Sequence, residues 1–144
     1  MPEILRSRLD YSRPWSLPDI KLFTGNPIRR SDGALVMGRG AAQQVRDSWP
    51  RVQYDIKTNK PVTWYCINQE QRQWIGWFQV KHHWRDAARL DLITASTNHL
   101  SEMAARRPSY RFHLNAPGVG NGKLSWDDVE PILQVLPSNV TIYL

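Results

Sequence analysis

Three stretches of this chain carry residues arranged for chemistry. In Asn115-Ala116-Pro117-Gly118-Val119-Gly120-Asn121-Gly122-Lys123-Leu124-Ser125-Trp126, glycines recur at alternate positions 118, 120 and 122. Glycine takes positive φ angles and lets a ligand approach the backbone without a Cβ in the way. Successive bare N–H groups form an anion-binding concavity, and a helix start beyond it adds a favourable field. The guest such a loop suits is a phosphate or diphosphate; a tight strand-to-helix turn that binds nothing has the same pattern. A second glycine-rich run, Val36-Met37-Gly38-Arg39-Gly40-Ala41-Ala42, also opens a helix-forming stretch, and its small residues permit close approach. The third stretch is Val80-Lys81-His82-His83-Trp84-Arg85, where a lysine follows an apolar strand-like run. Desolvation by Trp77, Val80 and Trp84 would lower its pKa and make its amine a nucleophile or base. Protonated, Lys81 would stabilise negative charge instead, and an ordinary surface lysine would do neither.

Other chemistries find no support. Adjacent His82 and His83 lack further ligands at metal spacing, so no metal or cofactor is expected. His113 reads as a hydrogen-bonded histidine in a strand. There is no G-x-S-x-G nucleophile elbow, and the 118–122 loop lacks the Gly-Lys-Ser/Thr ending of a phosphate-binding Walker loop.

The surrounding elements follow from pattern. Ile20–Thr24 alternates as a strand and ends at Gly25-Asn26-Pro27. Ser31-Asp32-Gly33 reads as a hairpin tip. Val36–Asp47 reads as a glycine-rich entry to a helix that stops at Trp49-Pro50; residues 51–60 form a polar connection. Val62–Ile67 and Trp74–Val80 read as a paired hairpin. Leu90, Ile93, Leu100 and Met103 mark a helix over 87–106, closed by Pro108. Tyr110–Asn115 is a strand, Ser125 caps a helix over 126–136 disturbed by Pro131, and Val140–Leu144 is a last strand. Residues 1–18 read as an irregular arm with an extended piece near Leu5–Leu9. Alternation of strands and helices predicts an α/β layered sheet, with ligands collecting at the carboxyl ends of the strands.

Composition sets the bounds. The 144 residues fit one domain. Nineteen Lys and Arg against thirteen Asp and Glu give a net charge of +6, which suits an anionic partner or serves solubility. The single cysteine, Cys66, excludes an intrachain disulfide and reads as a small buried hydrophobe. No apolar run approaches the about 18 residues of a membrane helix, and the first residues lack a signal-peptide pattern. The expectation is a cytoplasmic monomer with no membrane partner.

The three stretches together resemble those of macrodomains, the ADP-ribose-binding modules of three-layer α/β/α architecture with a central mixed sheet. Val36–Ala42 is similar to a V-M-G-K-G-I-A loop. Phe78–Arg85, followed by Arg89-Leu90, resembles the F-P-T-K-x-x-W-R…S-x-L segment of the macrodomains that remove ADP-ribose from DNA bases, the antitoxin-like branch. Gly118–Trp126 is similar to G-C-G-N-G-G-L-x-W. Order and spacing agree from about residue 20 to the end of the chain.

The resemblance implies that Met37, Gly38, Arg39, Gly40 and Ala41 clamp the diphosphate and distal ribose of ADP-ribose from one side. Gly118, Val119, Gly120, Asn121 and Gly122 do so from the other. Asn26 matches the family's ribose-contacting asparagine loosely, across what looks like an insertion at 27–35. Asp19 and Asp10 are both candidates for the acid that binds the adenine amino group. Lys81 matches the lysine that carries glycosidic cleavage. Arg39, Val80 and Ala88 depart from the family's lysine, threonine and serine. Gly122 stands where macrodomains acting on protein esters have an aspartate. The resemblance implies an ADP-ribosyl hydrolase acting on nucleic acid or protein. The alternatives are a non-catalytic ADP-ribose reader, an ADP-ribose 1''-phosphate phosphatase, and a nucleic-acid-binding protein using its basic, tryptophan-rich surface.

Overall fold

A computed structural model describes residues 1–144. Six strands form one sheet: β1 (Glu3–Leu5), β2 (Asp19–Gly25), β3 (Val62–Asn68), β4 (Gln73–Gln79), β5 (Arg111–Asn115) and β6 (Val140–Tyr143). Their order is β1-β6-β5-β2-β4-β3, parallel throughout except for the antiparallel β3–β4 hairpin. The sheet is therefore mixed, as expected. Four helices connect it: α1 (Gly40–Ser48), α2 (Val52–Asp55), α3 (Leu90–Ala105) and α4 (Trp126–Leu133).

The sheet buries both faces, which is why its central strands read as nearly continuous apolar runs. Ile20, Leu22, Phe78, Phe112, Leu114, Val140 and Ile142 pack with Ile93, Leu100, Val129 and Leu133 of α3 and α4. Phe23, Ile75 and Trp77 pack on the other face with Ala42, Val45 and Val52 of α1 and α2. Two cores on opposite faces make three layers.

The arm is more ordered than its sequence implies. Its extended piece falls at Glu3–Leu5, which adds an edge strand with Glu3 opposite Thr141 of β6. Leu9, Tyr11 and Trp15 are buried in the α1-side core. The indole of Trp15 donates to the Trp74 carbonyl at 2.7 Å and that of Trp49 to the Tyr11 carbonyl at 2.6 Å, with the two rings edge-to-face at 5.9 Å.

Other boundaries also moved. The connection after Pro50 contains the single-turn helix α2. Helix α3 begins at Leu90 rather than near 87, because Arg89 is extended, at φ −121° and ψ 131°, and the N–H groups of Ala88 and Arg89 tie this segment to the Gly122 and Val80 carbonyls. Ser125 does cap α4, accepting from the Asp127 N–H at 3.2 Å. Cys66 is half-buried in edge strand β3 rather than enclosed. No helix is long and apolar enough to cross a membrane.

Candidate functional site

Chain direction places the site. From β2 the chain crosses over α1 to the β3–β4 side of the sheet, whereas β5 and β6 lie on the other side of β2. Ligand crevices in α/β sheets lie at such a reversal, beyond the carboxyl ends of the strands. Here the ends of β2 and β5 are tied together by one side chain. Asn115 donates from Nδ2 to Thr24 Oγ1 at 2.9 Å, while its Oδ1 accepts from the Thr24 N–H and the Tyr11 hydroxyl, both at 3.2 Å. Above that tie opens a cleft of about 460 Å³, within the usual range of small-molecule sites.

The two glycine-rich loops form its walls. On one side Gly38, Arg39, Gly40, Ala41 and Ala42 line it. Helix α1 has no side-chain cap, so its first-turn N–H groups are free to face an anion. On the other side Gly118, Val119, Asn121 and Gly122 line it. This loop closes on itself, with Lys123 N donating to Gly120 O and Leu124 N to Gly118 O, both at 2.9 Å. The N–H groups of Val119 and Asn121 make no such backbone bond. The loops meet: a Cβ on Gly40, at φ +58°, would lie 2.8 Å from Asn121 Nδ2.

Lys81 lies just past β4, with Val80 and the 41 % exposed Trp84 beside it in the lining. Trp84 stacks with the Arg85 guanidinium at 4.7 Å and the His83 ring at 5.2 Å. The Lys81 ammonium donates to the Asp86 carbonyl at 3.2 Å. Burial pulls its pKa below the ordinary lysine value; Arg39 and Lys123 pull the same way and Asp86 opposes them. Arg30, Arg39 and Lys81 line the cleft and no carboxylate does. The site thus offers positive charge, backbone donors without backbone partners and one amine whose pKa burial lowers. No group of three or more acidic, histidine or cysteine side chains is arranged to hold a metal.

Nearly all of the sequence-identified loop residues come together here, with exceptions. Met37 sends its side chain into the α1-side core. Gly120, at φ +76°, is exposed and not part of the lining. Asn26 lines the cleft, yet its amide is already engaged: Nδ2 donates to the Val36 carbonyl at 3.3 Å and Oδ1 accepts from the Ile28 N–H at 2.9 Å.

Neither Asp10 nor Asp19 reaches the cleft. Asp19 starts β2, about 20 Å of extended strand from the end that carries the site. It is bound there by Arg111 through two 3.0 Å hydrogen bonds and by His113 Nε2 at 2.8 Å. The Asp10 carbonyl is held by the Lys21 ammonium, on the same half of β2.

The sequence reading missed Thr24, Arg30 and Asn115 as lining residues. For Asn115 a signal existed: Phe112, Leu114 and Ala116 alternate into the core, leaving 115 as the polar residue at the strand's carboxyl end. Arg30 comes from the hairpin at Ile28–Val36, joined by bonds from Arg30 N to Ala34 O and from Val36 N to Ile28 O. What looked like an insertion therefore supplies a cation to the site.

No family model and no curated protein matches the sequence significantly. Solved structures do. The chain is similar to the macrodomain of Mycobacterium tuberculosis DarG, with 25% identity and a TM-score of 0.75 over 99% of this chain and 97% of that one. It is similar to the macrodomain of Thermus aquaticus DarG, with 22% identity and a TM-score of 0.74 over 100% and 98%. It is also similar to Thermosipho africanus DarTG, solved in complex with ADP-ribose, with 23% identity and a TM-score of 0.66 over 86% of this chain and 37% of that one. A mixed six-stranded sheet between two helical layers, agreeing with the two DarG macrodomains over 99% and 100% of this chain, makes this a protein of macrodomain fold.

Proposed function

We propose that the cleft binds ADP-ribose and that Lys81 cleaves an ADP-ribosyl bond presented there on nucleic acid or protein. The observation that carries this reading is the convergence of two glycine-rich walls and a depressed-pKa lysine on one cleft without a carboxylate. A diphosphate matches the uncapped start of α1 and the charges of Arg30 and Arg39. The adenine and distal ribose then extend to either side. Lys81, in its neutral form, acts in one of two ways: it attacks the anomeric carbon and water then hydrolyses the lysine adduct, or it takes the proton of a water that attacks that carbon directly. In both, the bond from the anomeric carbon to the modified group breaks, that group departs with a proton, and ADP-ribose leaves carrying the water oxygen. The complex of Thermosipho africanus DarTG with ADP-ribose supports the choice of ligand. Phosphate steering by the net charge of +6 supports a nucleic-acid substrate.

The contact between the Lys81 ammonium and the Asp86 carbonyl favours a second reading, a reader that binds ADP-ribose without turnover. Calorimetry with ADP-ribose tests the shared premise; absence of heat ends both readings. Incubation with ADP-ribosylated DNA and with ADP-ribosylated protein separates them. Release of ADP-ribose that stops in Lys81→Ala supports catalysis, and undiminished release in that variant refutes the assignment.

A further inference from the structure

A second groove lies on the outer side of the sheet, away from the glycine loops. It has a volume of about 400 Å³ and runs between edge strand β3 and the second half of α3. Two walls bring cations into it. Lys57 and Lys60 come from the connection before β3; Arg106 and Arg107 come from the end of α3. Cations at a helix C-terminus have a local explanation in the helix dipole. Lys57 and Lys60 have none, and they stand opposite like charges.

None of the four cations forms an ion pair, although Glu102 also lines the groove. Arg107 is held in place: its guanidinium stacks on the Trp64 ring at 4.8 Å, and Nη1 donates to the Met103 carbonyl at 3.3 Å. Trp64 is in turn packed against Trp74 and Phe112, both at 6.2 Å, so it supports Arg107 and is not a free stacking surface. The groove therefore offers positive charge from two walls, with one of its cations, Arg107, fixed by Trp64 and Met103.

We propose that this groove binds the phosphodiester backbone of a single nucleic-acid strand, without sequence preference. Its upper end is tied to the strand that leads to Lys81, since Ser96 Oγ bonds the Gln79 carbonyl at 2.7 Å and the Pro61 carbonyl at 3.3 Å. This end of the groove therefore lies near the strand that leads to Lys81, although groove and cleft share no lining residue. The inference does not depend on ADP-ribose binding.

The test uses a fluorescein-labelled, unmodified single-stranded 20-mer and fluorescence anisotropy over a salt series. Four phosphate contacts predict a slope of log K against log salt of about −2.8, and loss of two predicts about −1.4. Lys57→Gln with Lys60→Gln should therefore weaken binding at least tenfold at low salt and halve the slope. Its Tm and its affinity for ADP-ribose by calorimetry should not change. A control with equal charge loss, Arg6→Gln with Arg13→Gln on the arm, should keep the slope. No binding by the unaltered protein, or equal weakening in both double variants, overturns the proposal. So does poly-glutamate that competes at equal charge concentration and loses affinity in the groove variant, because the groove would then serve an acidic polypeptide. A second variant, Trp64→Leu, should weaken binding while leaving the four charges in place, provided its Tm shows that it folds.

Discussion

Gly38 is the position at which the diphosphate assignment is most cleanly put at risk. It lines the cleft, is exposed, and has nothing within 4 Å of where a Cβ would stand. Its φ lies outside the left-handed range, unlike those of Gly40 and Gly118. A side chain there should cost no packing and no backbone strain, so Gly38→Glu adds charge to the site and little else. At a separation of about 6 Å and an effective dielectric of about 20, each like charge costs about 3 kcal/mol, or about 100-fold in affinity. Partial pairing with Arg39 or Arg30 would reduce this, so a loss of about 30-fold or more in ADP-ribose affinity is expected by calorimetry, with Tm unchanged. Gly38→Gln, the same size without the charge, should lose only a few-fold. Raising salt should narrow the difference between the two, since the cleft is open to solvent. Equal affinities for the Gly38→Glu variant and the parent, with Tm preserved, would mean that no diphosphate sits against this loop.

Other substitutions address the amine, the second loop and the far end of the sheet. If neutral Lys81 is the reactive form, initial rates should rise with pH to a midpoint below the ordinary lysine value. Removing a neighbouring positive charge favours protonation, so Arg39→Gln should move that midpoint upward and lower the rate at neutral pH. Gly122→Asp should not simply restore a catalytic carboxylate. A Cβ there would lie 2.9 Å from the Ala88 Cβ, so a Tm loss corresponding to about 1–3 kcal/mol is expected, partly relieved by Ala88→Gly. Asp19 has its pKa lowered by the Arg111 hydrogen bonds, against the opposing effect of burial and with help from His113. Its stabilisation is present above the unfolded-state pKa and is lost as pH falls through the lower folded value, below about pH 4. Asp19→Asn should lower Tm at neutral pH by about 3 °C, for about 1 kcal/mol at this partly exposed site, and should flatten the acid limb of the stability curve. ADP-ribose affinity should be untouched, because the residue lies at the opposite end of β2 from the cleft.

The layered sheet was legible because its signals are local. Ile20, Leu22 and Phe23 within one short run, and Trp74–Val80 after Val62–Ile67, announce strands without knowledge of their neighbours. The glycine loops were legible for the same reason. What could not be read depends on which ends of the strands meet. Asp19 sits on the strand that leads to the site, and only the direction of β2 shows that it lies at the end away from the cleft. The buried roles of Tyr11 and Trp15 left no periodic trace, since the arm is held by indole-to-carbonyl bonds rather than by a repeating pattern. Helix α2 is a single turn, too short for any period to appear. Arg30 reaches the cleft through a hairpin whose closure depends on Ala34 and Ile28 carbonyls, not on side-chain type.

The pairing of β1 with β6 has a consequence for how the chain reaches this structure. Glu3 lies opposite Thr141 and Leu5 opposite Tyr143, so β1 pairs with a strand at the far end of the described residues. The inner strands β2, β4 and β5 are joined to one another over far shorter stretches and can assemble before that loop closes. Until β1 docks, β6 is an open edge carrying Val140 and Ile142. Any form in which β1 has come away therefore shows an unguarded parallel edge, the feature most exposed to intermolecular strand pairing.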